Sequence, residues 1–352
     1  MAGLSVFRCL RSHKHFTQII NNPESTCHVH HKISKLLLTN LYHKKNFHTS
    51  KDKLLRALSR LESRGVLKLS GKDTAGYLQG LVTNDVQQLV EKSPAVQYTM
   101  MLNVQGRVLY DLFLYNITNE GGSTTLLVDV DKSVKAELVQ VLKRYRLRKK
   151  VDISDVSDQY RIWSQWSDGS SEQSNIQQPN IFSFHDPRVP MLARRIIVTL
   201  KLNVAGIEDR TEQDYRVQRF KLGIPEGITD LPPGNCLPLE SNLDLMNGVN
   251  FQKGCYIGQE LTARTYHTGV TRKRIMPIEL DTPAPISVNA VISTKEKGKN
   301  AGKFRSVEGL YGLGLLRLEH IKVDLTVKSA VGETVSVRPH IPEWWPKSIF
   351  SV

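Results

Sequence analysis

Hydrophobic and polar positions along the chain fall into short strand-like and helix-like runs, which together predict an α+β fold ending in a small C-terminal β-barrel. Residues 64–69 (Arg64-Gly65-Val66-Leu67-Lys68-Leu69) read as a strand, and Asp73 stands where it would cap a helix running to Leu81. Apolar runs over 96–102 and 107–117 flank Asn103-Val104-Gln105-Gly106, which predicts a hairpin with its tip at those four residues. Residues 124–130 read as a further strand. Between Asp131 and Arg148, the positions Val134, Leu138, Val141 or Leu142, and Tyr145 share one helical face. The stretch 164–178 is polar and reads as a loop or a short disordered insertion, followed by a strand over 194–200. Thr211 to Leu222 is a helix bounded at both ends, by a Thr-x-x-Asp cap and by Gly223. Leu231-Pro232-Pro233-Gly234 forms a rigid loop. From Lys273 onward short strands and turns alternate, with 275–280, 312–318 and 334–338 as the strands of the barrel. Trp344-Trp345 is either a partner anchor or a hydrophobic clasp closing that barrel.

Charge changes the picture at the N-terminus. The 352 residues carry a net +14, and residues 1–50 hold seven cations against the single acid Glu24, a net +6 that leaves +8 for the rest. A basic, acid-poor, Ser/Thr-containing leader is the composition of a mitochondrial presequence, with cleavage expected near Phe47-His48-Thr49-Ser50. Seven of the eleven histidines lie in it without ligand spacing. The expected organisation is therefore a transit peptide over 1–49, a body over 50–270 and a barrel over 271–352, in the mitochondrial matrix. No run reaches the apolar length of a membrane span. Lys143 to Lys150 is strongly basic. It reads as dipole complementation at a helix end rather than as a nucleic-acid patch, and no RNA motif with interleaved aromatics accompanies it.

The four cysteines are Cys9, Cys27, Cys236 and Cys255, two of them in the leader. There is no C-x-x-C pair and no Cys/His constellation, so a cluster held here would borrow ligands from a partner. Sparse cysteine usage suits a reducing compartment.

The densest chemistry is Lys253-Gly254-Cys255-Tyr256-Ile257-Gly258-Gln259-Glu260. Cys255 sits between two glycines, behind a lysine and before an expected helix. Gly254 is expected to permit a tight turn. The helix N-terminus and the Lys253 charge would favour the thiolate, which makes Cys255 a nucleophile or a soft-metal ligand. The plain alternative is a small buried cysteine in a turn.

This octapeptide resembles the signature of the YgfZ family, folate-binding-like proteins related to the glycine-cleavage T-protein. The resemblance runs from about Arg64 to the C-terminus, through Gly71-Lys72-Asp73 with Leu78-Gln79-Gly80-Leu81, Asn103 to Asp111, and Arg219 to Gly227. It implies a T-protein-like multi-part folate-binding fold with a small C-terminal β-barrel. With the leader, it implies a mitochondrial iron–sulfur cluster assembly factor acting late, in [4Fe–4S] maturation, with haem biosynthesis as a further implied process. Cys255 would be a ligand of a transient shared iron–sulfur cluster, supported by Lys253, Gly254, Tyr256, Gly258, Gln259 and Glu260. The implied partners are A-type iron–sulfur scaffold proteins and mitochondrial [4Fe–4S] client enzymes of the aconitase and lipoate synthase type. Asn103, Arg107 and Asp111 are the candidates for a folate-like cavity, with tetrahydrofolate as a second cofactor. The T-protein pattern departs at two places: Tyr110 replaces the first acid of the pair, and Lys221 replaces the pterin-holding glutamate. Both departures argue against aminomethyl transfer. The rival readings are a folate-dependent one-carbon transferase using Cys255 and an RNA-binding accessory factor.

Overall fold

The computed structural model describes residues 57–350 apart from 93–94, 120, 167–175, 179, 193 and 201–209. The leader, its cleavage region and most of the polar insertion lie outside the described residues.

Two five-stranded antiparallel sheets and a closed barrel make up the protein. In chain order the body contains β1 (Ala57–Arg60), β2 (Arg64–Ser70), α1 (Thr74–Gln79), α2 (Val86–Val90), β3 (Ala95–Leu102), β4 (Val108–Asn116), β5 (Thr125–Asp131) and α3 (Lys135–Arg146). There follow β6 (Asp152–Asp155), β7 (Tyr160–Trp166), β8 (Ile176–Gln178), β9 (Ile181–His185), β10 (Arg194–Thr199), α4 (Glu212–Leu222), α5 (Gly227–Asp230) and α6 (Gln259–Thr268). One sheet has the order β1-β7-β10-β9-β8 and the other β3-β4-β5-β2-β6. The barrel closes from β11 (Lys273–Leu280), β12 (Val291–Thr294), β13 (Asn300–Glu308), β14 (Tyr311–Arg317), β15 (Leu325–Lys328) and β16 (Thr334–Pro339).

Period-two alternation builds the layers. Tyr98, Met100, Phe113 and Tyr115 face a core shared with the other sheet, α4 and the barrel. Met101, Tyr110, Leu112 and Leu114 face a second core beneath the helices. The β3–β4 hairpin turns where expected, because Asn103 Oδ1 accepts from the backbone N–H groups of Gln105 and Arg107 and Gly106 takes φ 78°. Thr211 and Asp214 form a full capping box on α4, and Gly223 ends it in the left-handed conformation. A Cβ at Gly223 would lie 2.7 Å from Pro277 Cδ, so this helix end nests directly against the barrel.

Some expectations need correction. Asp73 precedes α1 but makes no side-chain cap; its Oδ2 accepts from Lys150 N instead. Leu138 and Leu142 carry the buried face of α3, while Tyr145 is exposed because the helix ends one residue later. Ser164, Gln165 and Trp166 belong to β7, where both polar side chains are buried, rather than to a loop. Trp344 donates from Nε1 to Leu222 O at 2.8 Å, and Trp345 is buried in the barrel core. The pair is a clasp.

Candidate functional site

The segment from Val249 to Gly258 is neither helix nor strand, so specific side chains must hold its shape. Asn250 Oδ1 starts the loop by accepting from Gln252 N (2.7 Å) and Lys253 N (3.1 Å). The Lys253 side chain is buried, and its Nζ donates to the carbonyls of Gln79 (2.8 Å), Val82 (2.7 Å) and Asn84 (2.7 Å). These carbonyls cluster where α1 ends and its following turn begins, and they use all three ammonium protons. Burial pulls the Lys253 pKa down to about 8, with Asp85 opposing. Lys253 therefore staples the loop to the body, and its protons are not directed at the cysteine as the sequence suggested.

A second anchor lies just past the thiol. The Tyr256 ring is buried 5.1 Å from Lys253 Nζ, and burial pushes its phenol up to about 12. Tyr256 N donates to Gln259 Oε1 at 3.3 Å, and Ile257 N donates to Gly80 O at 3.1 Å. Phe251 stacks on Tyr266 with ring centroids 3.6 Å apart, tying the loop to α6.

Gly258 then makes the close approach. It takes φ 77°, and a Cβ there would lie 2.3 Å from Asn103 O. Gly106 faces it, 2.9 Å from Gly258 O by the same construction. Gly254, by contrast, has no positive φ and nothing within 4 Å of a built Cβ. The glycine requirement falls on Gly258, not on Gly254. Cys255 is exposed beside Gly254, between buried Lys253 and buried Tyr256. Helix α6 begins at Gln259, whose side chain is spent on the loop, and Glu260 is exposed in its first turn. Cys236 is buried, and burial raises its pKa, which suits packing rather than ligation. Among the described residues no three His, Cys, Asp or Glu side chains gather as a metal set.

The folate candidates do not form one constellation. Asn103 and Arg107 share the hairpin turn through the 2.9 Å bond from Arg107 N, and the exposed Arg107 guanidinium reaches Asn235 O at 3.5 Å. Asp111 is buried apart from them: Oδ1 accepts from Gly227 N at 3.0 Å, and Oδ2 lies 3.6 Å from Arg64 Nη1. Burial raises the Asp111 pKa against the opposing Arg64 charge. Tyr110 faces the opposite side of β4, within the apolar cluster under the helices. Lys221 places Nζ 4.4 Å over the Tyr311 ring of β14.

Sequence reasoning missed the buried charges between the sheets. Arg195 donates from Nη1 to Glu226 (3.0 Å) and pairs through Nη2 with Asp129, with its guanidinium 3.8 Å over Phe113. Arg188 clasps Asp186 with two bonds of 2.9 and 2.8 Å and lies 2.8 Å from Glu226. Arg64 pairs with Asp129 at 2.6 Å, and Arg219 with Asp230 at 2.8 Å. Burial opposes the Glu226 charge, but Arg195 and Arg188 outweigh it and hold its pKa well below the usual carboxylate range. The signal was partly present: Asp129 interrupts the apolar run of β5 and Arg195 stands at the head of that of β10, and a buried charge needs a partner.

Comparison with known proteins places this geometry in context. Residues 272–347 match the family described as CAF17, C-terminal beta-barrel domain. The iron–sulfur cluster assembly factor IBA57, mitochondrial, of Mus musculus is 39% identical over 307 residues, covering 82% of this chain and 85% of that protein. The Homo sapiens protein of the same name is 38% identical over 306 residues with the same coverage. The crystal structure of the glycine cleavage system aminomethyltransferase T from Bartonella henselae superposes with a TM-score of 0.63 at 12% identity, covering 82% of this chain and 86% of that one. That likeness establishes the T-protein-like fold alone.

Proposed function

The chain belongs to the family of mitochondrial iron–sulfur cluster assembly factors named IBA57, and on that premise we propose a late role, in [4Fe–4S] maturation. Cys255 supplies one thiolate to a cluster held jointly with an A-type scaffold protein, the cluster being cargo in transit. The carrying observation is that Cys255 is exposed while Lys253 and Tyr256 on either side are buried anchors. A soft thiolate on a fixed loop can enter a partner's coordination sphere with little ordering cost to its own chain. The open face at Gly254 leaves room for the partner's backbone. Lys253, Tyr256 and Gln259 hold the thiol's position, and such outer contacts tune a cluster's stability. Electrons for joining two [2Fe–2S] units come from outside this chain.

Cells carrying only the Cys255→Ser variant test this reading. At normal protein level they should lose aconitase activity and protein lipoylation, whereas Cys236→Ser cells should keep both. Full activities with Cys255→Ser would reduce the cysteine to a structural role.

Tetrahydrofolate binding is a second proposal, resting on Tyr98 Oη, Arg64 Nη1 and Asp111 Oδ2, which are buried without a hydrogen-bond partner. Calorimetric titration with tetrahydrofolate should give a binding isotherm that Asp111→Asn weakens. No heat with the unmodified chain removes the proposal.

A further inference from the structure

Helix α3 ends at Arg146, but its cations do not. Lys143, Arg144 and Arg146 occupy the last turn, where the helix dipole accounts for them. Arg148, Lys149 and Lys150 lie beyond the helix and are exposed, so the dipole does not explain them. Exposed Lys72 adjoins, because the Gly71 backbone packs against Lys150 O. Lys143, Arg144, Arg148, Lys149 and Lys150 have no side-chain ion pair or hydrogen bond among the described residues. Two acids adjoin the cluster, Asp73, whose Oδ2 accepts from Lys150 N at 2.7 Å, and exposed Asp152, so the cations stay in clear excess.

At the apex of this cluster stands Leu147, 85% exposed, with φ 48° and ψ −117°. That conformation is one glycine adopts freely and a leucine adopts at a cost of about 1–3 kcal/mol. Tyr145 is exposed beside it. A strained, solvent-facing leucine does nothing for the fold. Ringed by six cations within eight residues and flanked by a tyrosine, it has the composition of a tip that enters a lipid headgroup layer.

We propose that the tip at residues 143–150 docks the protein reversibly on an anionic membrane surface, the cations meeting lipid phosphates while Leu147 and Tyr145 enter the headgroup–acyl boundary. Charge complementarity selects an anionic partner, and the apolar apex selects lipid over RNA, whose binding sites stack bases on several aromatics.

Flotation of the full chain with phosphatidylcholine vesicles, with and without phosphatidylglycerol, tests this. Residues 1–50 are present in every sample, so differences between variants read the tip. Binding should require phosphatidylglycerol and weaken about twenty-fivefold in the Arg148→Gln/Lys149→Gln variant, at about fivefold per cation removed. Leu147→Gly should weaken binding about tenfold through lost apolar contact. Its melting temperature should hold or rise, because glycine accepts that backbone. Equal flotation with neutral vesicles, or unchanged binding in both variants, overturns the proposal. So does salt-sensitive RNA capture through the tip without flotation.

Discussion

Lys253 and Cys255 are two positions apart, yet one is buried and the other open to solvent, and the first fixes the second. Lys253→Met would leave the carbonyls of Gln79, Val82 and Asn84 without their donor. Urea denaturation should show a loss of about 2–4 kcal/mol, and Lys253→Arg should not restore it, since a planar fork cannot aim at three carbonyls as an ammonium does. Glu226 gives a pH signature. Its folded pKa is depressed, so the unfolded chain binds more protons as pH falls below the usual glutamate value. Its stabilisation is therefore complete above about pH 4.5 and lost as pH falls through the folded value. Glu226→Gln should cost about 3–5 kcal/mol at pH 7, because it leaves Arg188 and Arg195 under-paired. Its melting temperature should also fall less steeply between pH 5 and 3. An unchanged acid slope would show that Glu226 does not carry this linkage. None of these partnerships was legible from spacing, because Asp129, Arg195 and Glu226 meet only once β5, β10 and the turn before α5 have assembled.

The elements most local in origin were the most legible. The β3–β4 hairpin, the α4 capping box and its Gly223 stop are written in adjacent residues, and they formed where the spacing placed them. β1 and β7 were missed for different reasons. β1 is only four residues long, and β7 buries Ser164 and Gln165 within a run that reads as polar. The glycines of the signature were half legible. Composition marked the turn, but which glycine bears it depends on the hairpin tip packed against Gly258. Gly258→Ala should therefore cost about 2–4 kcal/mol, from the contact with Asn103 O and the positive φ together. Gly254→Ala should stay within about 0.5 kcal/mol. Thermal melts of the two variants decide this, and equal losses would contradict the packing described.

At the scale of the whole molecule, body and barrel are joined along α4. Gly223 meets Pro277, Trp344 bonds Leu222, Arg216 pairs with Glu308 at 2.7 Å, and Lys221 covers Tyr311. Lys221, one of the two positions that depart from the T-protein pattern, is thus part of this seam. Lys221→Glu should cost at most about 1 kcal/mol through the lost cation–π contact, and in an aminomethyl-transfer assay it should show no turnover. Turnover would put the folate-dependent transferase reading ahead of the assembly-factor reading. The overall architecture was legible through the octapeptide and the terminal strand pattern, whereas the buried, ion-paired centre was not. The central claim is that Cys255 is a ligand contributed to a partner's cluster. Its most direct test is anaerobic mixing of the full chain with a [2Fe–2S]-loaded A-type scaffold protein, with the complex isolated by size exclusion and read by absorption and EPR. The unmodified chain and Cys236→Ser should both form a cluster-bearing mixed complex. Cys255→Ser should melt like the unmodified chain yet form none. A cluster-bearing complex of equal yield and spectrum with Cys255→Ser would contradict the account.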